Sequence, residues 1–340
     1  MAAKSIYAAA DTKRRAKAWS TVIGMGLLVV AVFIVSMNTG YIRLSPLDVG
    51  KTLLGLGTDK QSLILFQFRL PRIVISILVG AGFALAGCIM QGITRNPLAD
   101  PGLIGVNAGA GLVVITYVAL KPSISASPPY TLPLLAFMGA AAAGLIVYFL
   151  AYKRSDGVSV LRFILVGIAV QAGISAVTIV LTQRLNPDQY QFAATWLAGS
   201  LWGANWQFVL TLLPWMAVLI PYVMAKARTL NVLSLGEHLS MGLGARLHRE
   251  RLLLLLAAVA LAGSCVAVGG AISFIGLIGP HLARRLVGSR HEILLPASAL
   301  SGSVLLIAAD TISRVSDTPT GIIAAVIGAP YFIYLLARTR

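Results

Sequence analysis

Apolar residues in this chain of 340 fall in long unbroken runs separated by short polar punctuation, and strict two-residue alternation is nearly absent. Ten runs stand out, at about 19–37, 70–92, 102–120, 134–152, 160–183, 207–227, 252–268, 272–287, 295–312 and 322–336. Most reach or approach the ~20 apolar residues that a helix needs to cross a bilayer. The pattern therefore predicts an all-α polytopic membrane protein with about ten transmembrane helices. Thirty-three glycines spread along the chain fit close helix packing better than an outer-membrane barrel. The first run follows Lys4, Lys13, Arg14, Arg15 and Lys17, as the core of a signal peptide would. It is long for one and no small-x-small cleavage site follows, so it reads as a retained first helix.

The punctuation carries its own expectations. Residues 38–68 turn polar, with Pro46, Gly55, Gly57 and Asp59, and have room for a short surface helix on the outer side. Gly50-Lys-Thr52 in that stretch looks like the end of a phosphate-binding loop, but Ser45 stands where the loop needs glycine and no strand precedes it. Residues 121–133 form a proline- and serine-rich outer loop. Residues 183–205 are amphipathic and carry Trp196 and Trp202, with Trp206 just beyond, which predicts a short helix at the outer interface. The longest polar insert, 228–251, falls on the cytoplasmic side.

Composition and charge sharpen this picture. With 58% apolar and 11% charged residues, the chain cannot bury its apolar surface in a water-soluble shell, and lipid is its first partner. The net charge of +16 would point to nucleic acid in a soluble protein, yet 19 of the 27 Lys and Arg fall on one side if both termini are cytoplasmic. The positive-inside rule accounts for that asymmetry without any nucleic acid. The expected organisation is a basic cytoplasmic tail over 1–18 and one transmembrane permease domain over 19–340, with the insert 228–251 inside it. Cys88 and Cys265 lie in apolar runs without paired spacing or a nearby histidine, and read as small packing residues. All 11 acidic residues lie in loops or near helix ends, Asp310 being the deepest, near the outer end of the ninth run. An ion-coupled carrier needs such groups at mid-span, so that class is disfavoured. Ala84-Leu-Ala-Gly87 recurs as Ala260-Leu-Ala-Gly263, and Gly102-Leu-Ile-Gly105 as Gly276-Leu-Ile-Gly279. Five helices separate the copies, as an inverted repeat requires, although short strings of Gly, Ala and Leu also recur by chance in this composition.

The punctuation also carries a family resemblance. Arg69-x-Pro-Arg72, Gly87-x-x-x-Gln91, Asn96-Pro-Leu-Ala-Asp-Pro-Gly102, Ser273-Phe-Ile-Gly-Leu-Ile-Gly-Pro-His281, Ala309-Asp310 and Gly328-Ala-Pro330 occur in order between about Arg43 and Ala337. In this the chain resembles the FecCD family, the permease subunits of ABC importers for ferric siderophores, haem and vitamin B12. The resemblance implies a bacterial cell-membrane subunit that translocates an iron(III)-siderophore and neither makes nor breaks a bond. Haem or vitamin B12 is the alternative cargo. It implies as partners a second permease, identical or paralogous, two ATP-binding subunits, and an extracytoplasmic substrate-binding protein, periplasmic or lipid-anchored. It implies no catalytic residue, cofactor or resident metal.

Three groups of residues become candidates. In the insert, Ser234-x-x-Glu237 has the form of a capping box, and Leu235, Leu239 and Leu243 follow at helical spacing, so a short helix is expected, broken near Gly242 and Gly244. Its apolar ridge either folds back on the bundle or docks in a groove of an ATPase; the resemblance implies the second, with Ser234, Leu235, Gly236, Glu237, Leu239, Gly242, Leu243 and Gly244 as the coupling segment. Arg69 and Arg72, three apart on one face, and Arg314, expected to begin the outer loop after the ninth run, either snorkel to the interface or, as the resemblance implies, accept carboxylates of the binding protein. Asn96 and Leu98 lie in the break between the second and third helices, either as a structural turn fixed by Pro97 and Pro101 or, by resemblance, as part of a cytoplasmic gate. His281 has no second ligand in sequence and reads as a packing or capping histidine.

Overall fold

The computed structural model describes residues 2–40, 44–121, 128, 130–153, 157–201, 203–244 and 246–338. Arg43, Arg154, Trp202, Arg340 and most of the outer loop expected at 121–133 lie outside the described residues. The chain forms fifteen α-helices among those residues: α1 (Ala2–Asn38), α2 (Pro46–Leu53), α3 (Asp59–Ser62), α4 (Leu70–Thr94), α5 (Val106–Leu120), α6 (Thr131–Ala151), α7 (Val160–Thr182), α8 (Pro187–Leu197), α9 (Trp206–Ala225), α10 (Ala227–Ser234), α11 (Glu237–Gly242), α12 (Leu247–Gly269), α13 (Ile275–Val287), α14 (His291–Ser316) and α15 (Thr320–Arg338). A two-stranded antiparallel ribbon, Tyr152–Lys153 with Gly157–Val158, joins α6 to α7. Among the described residues seven helices are long and apolar enough to cross a membrane, and Val106–Leu120 and Thr320–Tyr334 are shorter apolar helices. The chain is thus a multi-pass all-α membrane protein.

Helix α4 is the axis of the bundle. Residues 79–93 are buried without exception, as a helix apolar on every side must be. Among the described elements its most extensive packing is against α14, with α12, α13 and α9 around it. Backbone meets backbone there: a Cβ on Gly80 would stand 2.4 Å from the Gly302 carbonyl oxygen, and one on Gly87 would stand 1.7 Å from that of Gly276. Small residues permit this approach, which supplies packing where no hydrophobic effect acts between helices. Cys88 and Cys265 are both buried, the second with Sγ 3.6 Å from the Val79 carbonyl oxygen, in keeping with packing roles.

Four boundaries differ from those expected. The second span does not begin at residue 70: helical backbone runs from Asp59 to Thr94, with a π-helical stretch at Leu63–Arg69. Pro71 would clash with the carbonyl of Gln67 in a regular α-helix, and the wider turn just before it relieves that contact. The basic tail continues α1 as helix back to Ala2, in keeping with its alanine-rich sequence. Helix α14 extends through Ser316, so Arg314 lies inside it rather than opening the outer loop. A salt bridge to Asp310 one turn earlier, 3.2 Å from Nε, keeps Arg314 helical. Helix α13 starts only at Ile275, because the chain between it and α12 is irregular, with Gly270 at φ 69° and Phe274 at φ 70°.

The two shortest long-range helices share a form. Helix α5 is entered through a 3₁₀ turn, Pro101–Ile104, and Gly105 at φ 78°, and α13 through the irregular 270–274 stretch. These entries touch, since a Cβ on Gly276 would meet Pro101 at 2.9 Å and the Asp100 carboxylate at 3.0 Å. The Gly-Leu-Ile-Gly strings noted in the sequence sit at these two entries.

Candidate functional site

Candidate residues gather at the two ends of the bundle. At the end that carries α8, Asp310 is fully buried and organises the arginines. Arg72 Nε donates to Asp310 Oδ1 at 2.7 Å and Arg72 Nη2 reaches Ser313 Oγ at 3.5 Å. Arg314 faces the other carboxylate oxygen through Nε and donates through Nη1 to the carbonyls of Ser36 at 3.2 Å and Thr39 at 3.4 Å; its Nη2 donates to Ser36 Oγ. Thr320 Oγ1 completes the node at 3.4 Å from Asp310 Oδ1. A buried carboxylate is tolerated only with such partners.

The three predicted arginines do not converge on one pocket. Arg72 and Arg314 line a cleft of about 420 Å³, together with Phe192 and Thr195 of α8 and Asp317, Thr318 and Pro319 of the turn after α14. Arg69 is 6% exposed and turns to the end of α1, where Nη1 donates to the Met37 carbonyl and the guanidinium packs under Gly40. Helix α8 is held over the cleft by its own capping box, Asn186 with Gln189, and by Gln189 Nε2 donating to the carbonyls of Val118 at 3.0 Å and Lys121 at 2.9 Å.

At the opposite end, α10 and α11 build the insert. The expected capping box is not formed: Ser234 Oγ donates to the Asn231 carbonyl at 2.7 Å and closes α10, and Gly236 at φ 107° is the residue before α11. The left-handed break at Gly236 prevents Ser234 and Glu237 from sharing one helical turn. Glu237 instead pairs with Arg251 of α12 at 2.8 Å, and that hydrogen bond holds its carboxyl below the ordinary carboxylate range. Ser240 is buried, its Oγ donating to the carbonyls of Val232 and Gly236, which pins α11 to α10. Held this way, the segment presents Leu235, Leu239 and Leu243 at 54%, 61% and 65% exposure, with Met241 also exposed. The chain turns after them through Gly244 at φ 80°.

The 94–101 break lies at the same end. Asn96 Oδ1 accepts from Leu98 N at 2.9 Å, an Asx turn that fixes the chain after α4. Arg95, at φ 53°, ends α4 and sends its side chain to the insert: a Cβ on Gly236 would stand 3.1 Å from Arg95 Nη1. Sequence reading gave Arg95 no role, nor Asp100, whose carboxylate accepts from Gly102 N at 3.3 Å. It also missed Asn231, which joins α10 to the first residues of α14. His281 packs edge-on to Tyr331 with ring centroids 5.9 Å apart. Among the described residues no cluster of three or more His, Cys, Asp or Glu could hold a metal ion.

The chain that forms this glycine-seated bundle, cationic cleft and apolar insert is similar to several known proteins. Over 322 residues, 92% of this chain and 95% of the relative, it is 46% identical to the iron(3+)-hydroxamate import system permease protein FhuG of Bacillus subtilis. It is 42% identical to the Fe(3+)-citrate import system permease protein YfmE of the same organism, over 96% of this chain and 97% of that one. Identity to the hemin transport system permease protein HmuU of Yersinia pestis is 37%, over 92% and 94%. The fold superposes with a TM-score of 0.81 on a metal-chelate type ABC transporter solved in an inward-facing conformation, at 30% identity, covering 94% of this chain and 99% of that one. The pattern of the FecCD transport family matches residues 27–338, and the chain belongs to that family of ABC importer permeases.

Proposed function

We propose that this chain carries an iron(III)-siderophore through the bacterial cytoplasmic membrane as the permease subunit of an ABC importer, while a separate subunit hydrolyses ATP. The relatives named for ferric hydroxamate and ferric citrate support this cargo class; the haem permease among them makes haem the second reading. The observation that carries the coupling part is the exposed apolar ridge of the insert, Leu235, Leu239, Met241 and Leu243, held in place by Glu237–Arg251 and Ser240 yet uncovered among the described residues. An apolar ridge in water calls for a partner groove, and the ATPase supplies it. Ten crossings (α1, α4, α5, α6, α7, α9, α12, α13, α14 and α15) leave both termini and the insert cytoplasmic and the 1–18 tail at the inner surface. Helix α13 is short for a crossing, and the buried irregular stretch before it makes up the depth. Its matched form with α5 supports an inverted repeat.

Under this reading Arg72 and Arg314 receive carboxylates of the extracytoplasmic binding protein in their cleft, and Arg69 braces the rim. Asn96 and Leu98 narrow the inner end of a pathway between this permease and a second one. Copurification of the tagged chain with mass spectrometry of its partners tests the assembly, and uptake of radioactive iron as ferric hydroxamate, ferric citrate or haem separates the cargoes. Orientation is tested by maleimide labelling of intact cells: Lys60→Cys is expected to react and His238→Cys is not. The native cysteines are both buried, so the background is low.

A further inference from the structure

Helix α14 begins on a cap that another element supplies. Its first N–H groups have no intrahelical carbonyl to reach, and Arg290, which precedes it, makes no side-chain cap. Asn231 of α10 acts in trans. Its Oδ1 accepts from His291 N at 2.9 Å and lies 2.8 Å from His291 Nδ1, and its Nδ2 donates to Glu292 Oε2 at 2.7 Å. One amide thus grips the first two residues of α14. His291 is itself buried against α4, where a Cβ on Gly92 would stand 3.0 Å from its Nε2.

The far end of the same helix carries Asp310, Ser313 and Arg314, the last two lining the outer cleft. Its 26 residues span about 39 Å at 1.5 Å per residue, enough to join the two ends of the bundle. The insert is also tied to α12, through Glu237–Arg251 at 2.8 Å and Lys226–Glu250 at 2.7 Å. That helix stops at Gly269 and lines no part of the outer cleft. The insert also packs on α4, with Leu230 against Gly92 and Arg95 against Gly236, and α4 carries Arg72 to the cleft. The tie through Asn231 is the one made by side-chain hydrogen bonds to α14.

We propose that Asn231 is a positioning residue for transport: it fastens the ATPase-facing insert to α14, so that displacement of α10 and α11 reaches the outer cleft as displacement of α14. This rests on the reading of α11 as the ATPase contact and of the cleft as the docking site for the binding protein. Asn231 and Glu292 also border an open polar cleft of about 380 Å³ with Arg15 and Arg290, so shortening the side chain opens no void in the core.

The test uses the complete importer, permeases and ATPase in lipid nanodiscs, with its binding protein loaded with a ferric trihydroxamate. The readout is the ratio of ATP hydrolysis with and without the loaded binding protein. If the wild-type chain fails to hold an ATPase or the binding protein, the functional reading falls before any variant is made. Given a wild-type response, Asn231→Ala is expected to retain ATPase association, binding-protein affinity and basal hydrolysis within about twofold, while the ratio falls at least fivefold towards one. Asn231→Asp keeps the acceptor for His291 but places a second carboxylate beside Glu292, and is expected to lose the ratio equally. Adding Glu292→Gln restores it, because the new amide donates across the same gap. An unchanged ratio in Asn231→Ala overturns the proposal. So does a fall accompanied by lost ATPase association or a matching drop in thermal midpoint, since Asn231 would then only hold the fold.

Discussion

The two ends of this bundle solve opposite problems. At the outer node every charged group finds its partner within the chain: Asp310 takes Arg72, Arg314 and Thr320, and Arg69 takes a carbonyl of α1. At the inner insert two ion pairs, Glu237–Arg251 and Lys226–Glu250, hold the frame, but the leucines are left in the open. The outer end is a finished surface. Whatever docks there gains exposed ion pairs of about 0.2–1 kcal/mol each, which orient more than they hold. The inner end is unfinished: its leucines are already partly covered, and burying what remains exposed of each is worth about 1–2 kcal/mol. Strong attachment is therefore expected inside and exchangeable attachment outside, as suits an ATPase that stays and a binding protein that leaves.

The largest expected effect breaks the finished end. Asp310→Ala strands two guanidinium groups in a buried site, and by analogy with other broken buried pairs should cost about 3–5 kcal/mol, read as a lower thermal midpoint in detergent. The next breaks the unfinished end: Leu239→Asp with Leu243→Asp should leave the midpoint within a degree or two and reduce ATPase association at least tenfold, or about 1.4 kcal/mol. A falling midpoint with unchanged association would mean that the ridge packs on its own bundle.

Docking is tested more cleanly at the rim than at the arginines, because reversing Arg69 or Arg72 would dismantle the node itself. Asp317 is exposed on the cleft in a left-handed conformation that asparagine tolerates. Asp317→Asn should raise the binding-protein on-rate by about twofold to threefold at low ionic strength and by nothing measurable near 1 M salt, by stopped-flow fluorescence. The smallest effect concerns pH. The Glu237 carboxyl lies below its ordinary value of 4.5, so its pairing with Arg251 contributes fully above that value and is lost as pH falls through the lowered one. Amide exchange in α11, corrected for its intrinsic pH dependence, is expected to stay constant from pH 8 to pH 5, and Glu237→Gln is expected to raise it throughout.

The helices were legible from the apolar runs because lipid imposes a length and a composition that little else does. Their ends were less so. In a linear reading Arg314 looks like a loop residue and Asp310 like the end of an apolar run, and only the approach of α4 and α1 makes a buried node of them. Ser234 and Glu237 satisfy a capping pattern on paper, yet the glycine between them turns the chain out of register. The arginines stood out as anomalies, and two of the three do line one cleft; that Arg69 faces away depends on where α1 ends. Nothing local marks Asn231, whose partners lie sixty residues further along the chain.

Helix α4 meets α14 and α13 through Gly80 against Gly302 and Gly87 against Gly276, with bare backbone on both sides. Helices that interlock through large side chains behave like meshed gears, and each step along the axis must lift one row of knobs out of its holes. Two bare backbones behave like a plain bearing. At these two points no side chain stands between the helices, while Gln91 donating to the Leu277 carbonyl and Ser303 to that of Ile77 fix their register alongside. The bearing has a narrow tolerance: at Gly87 even a methyl group would stand 1.7 Å from a carbonyl oxygen, so alanine would force the two helices apart.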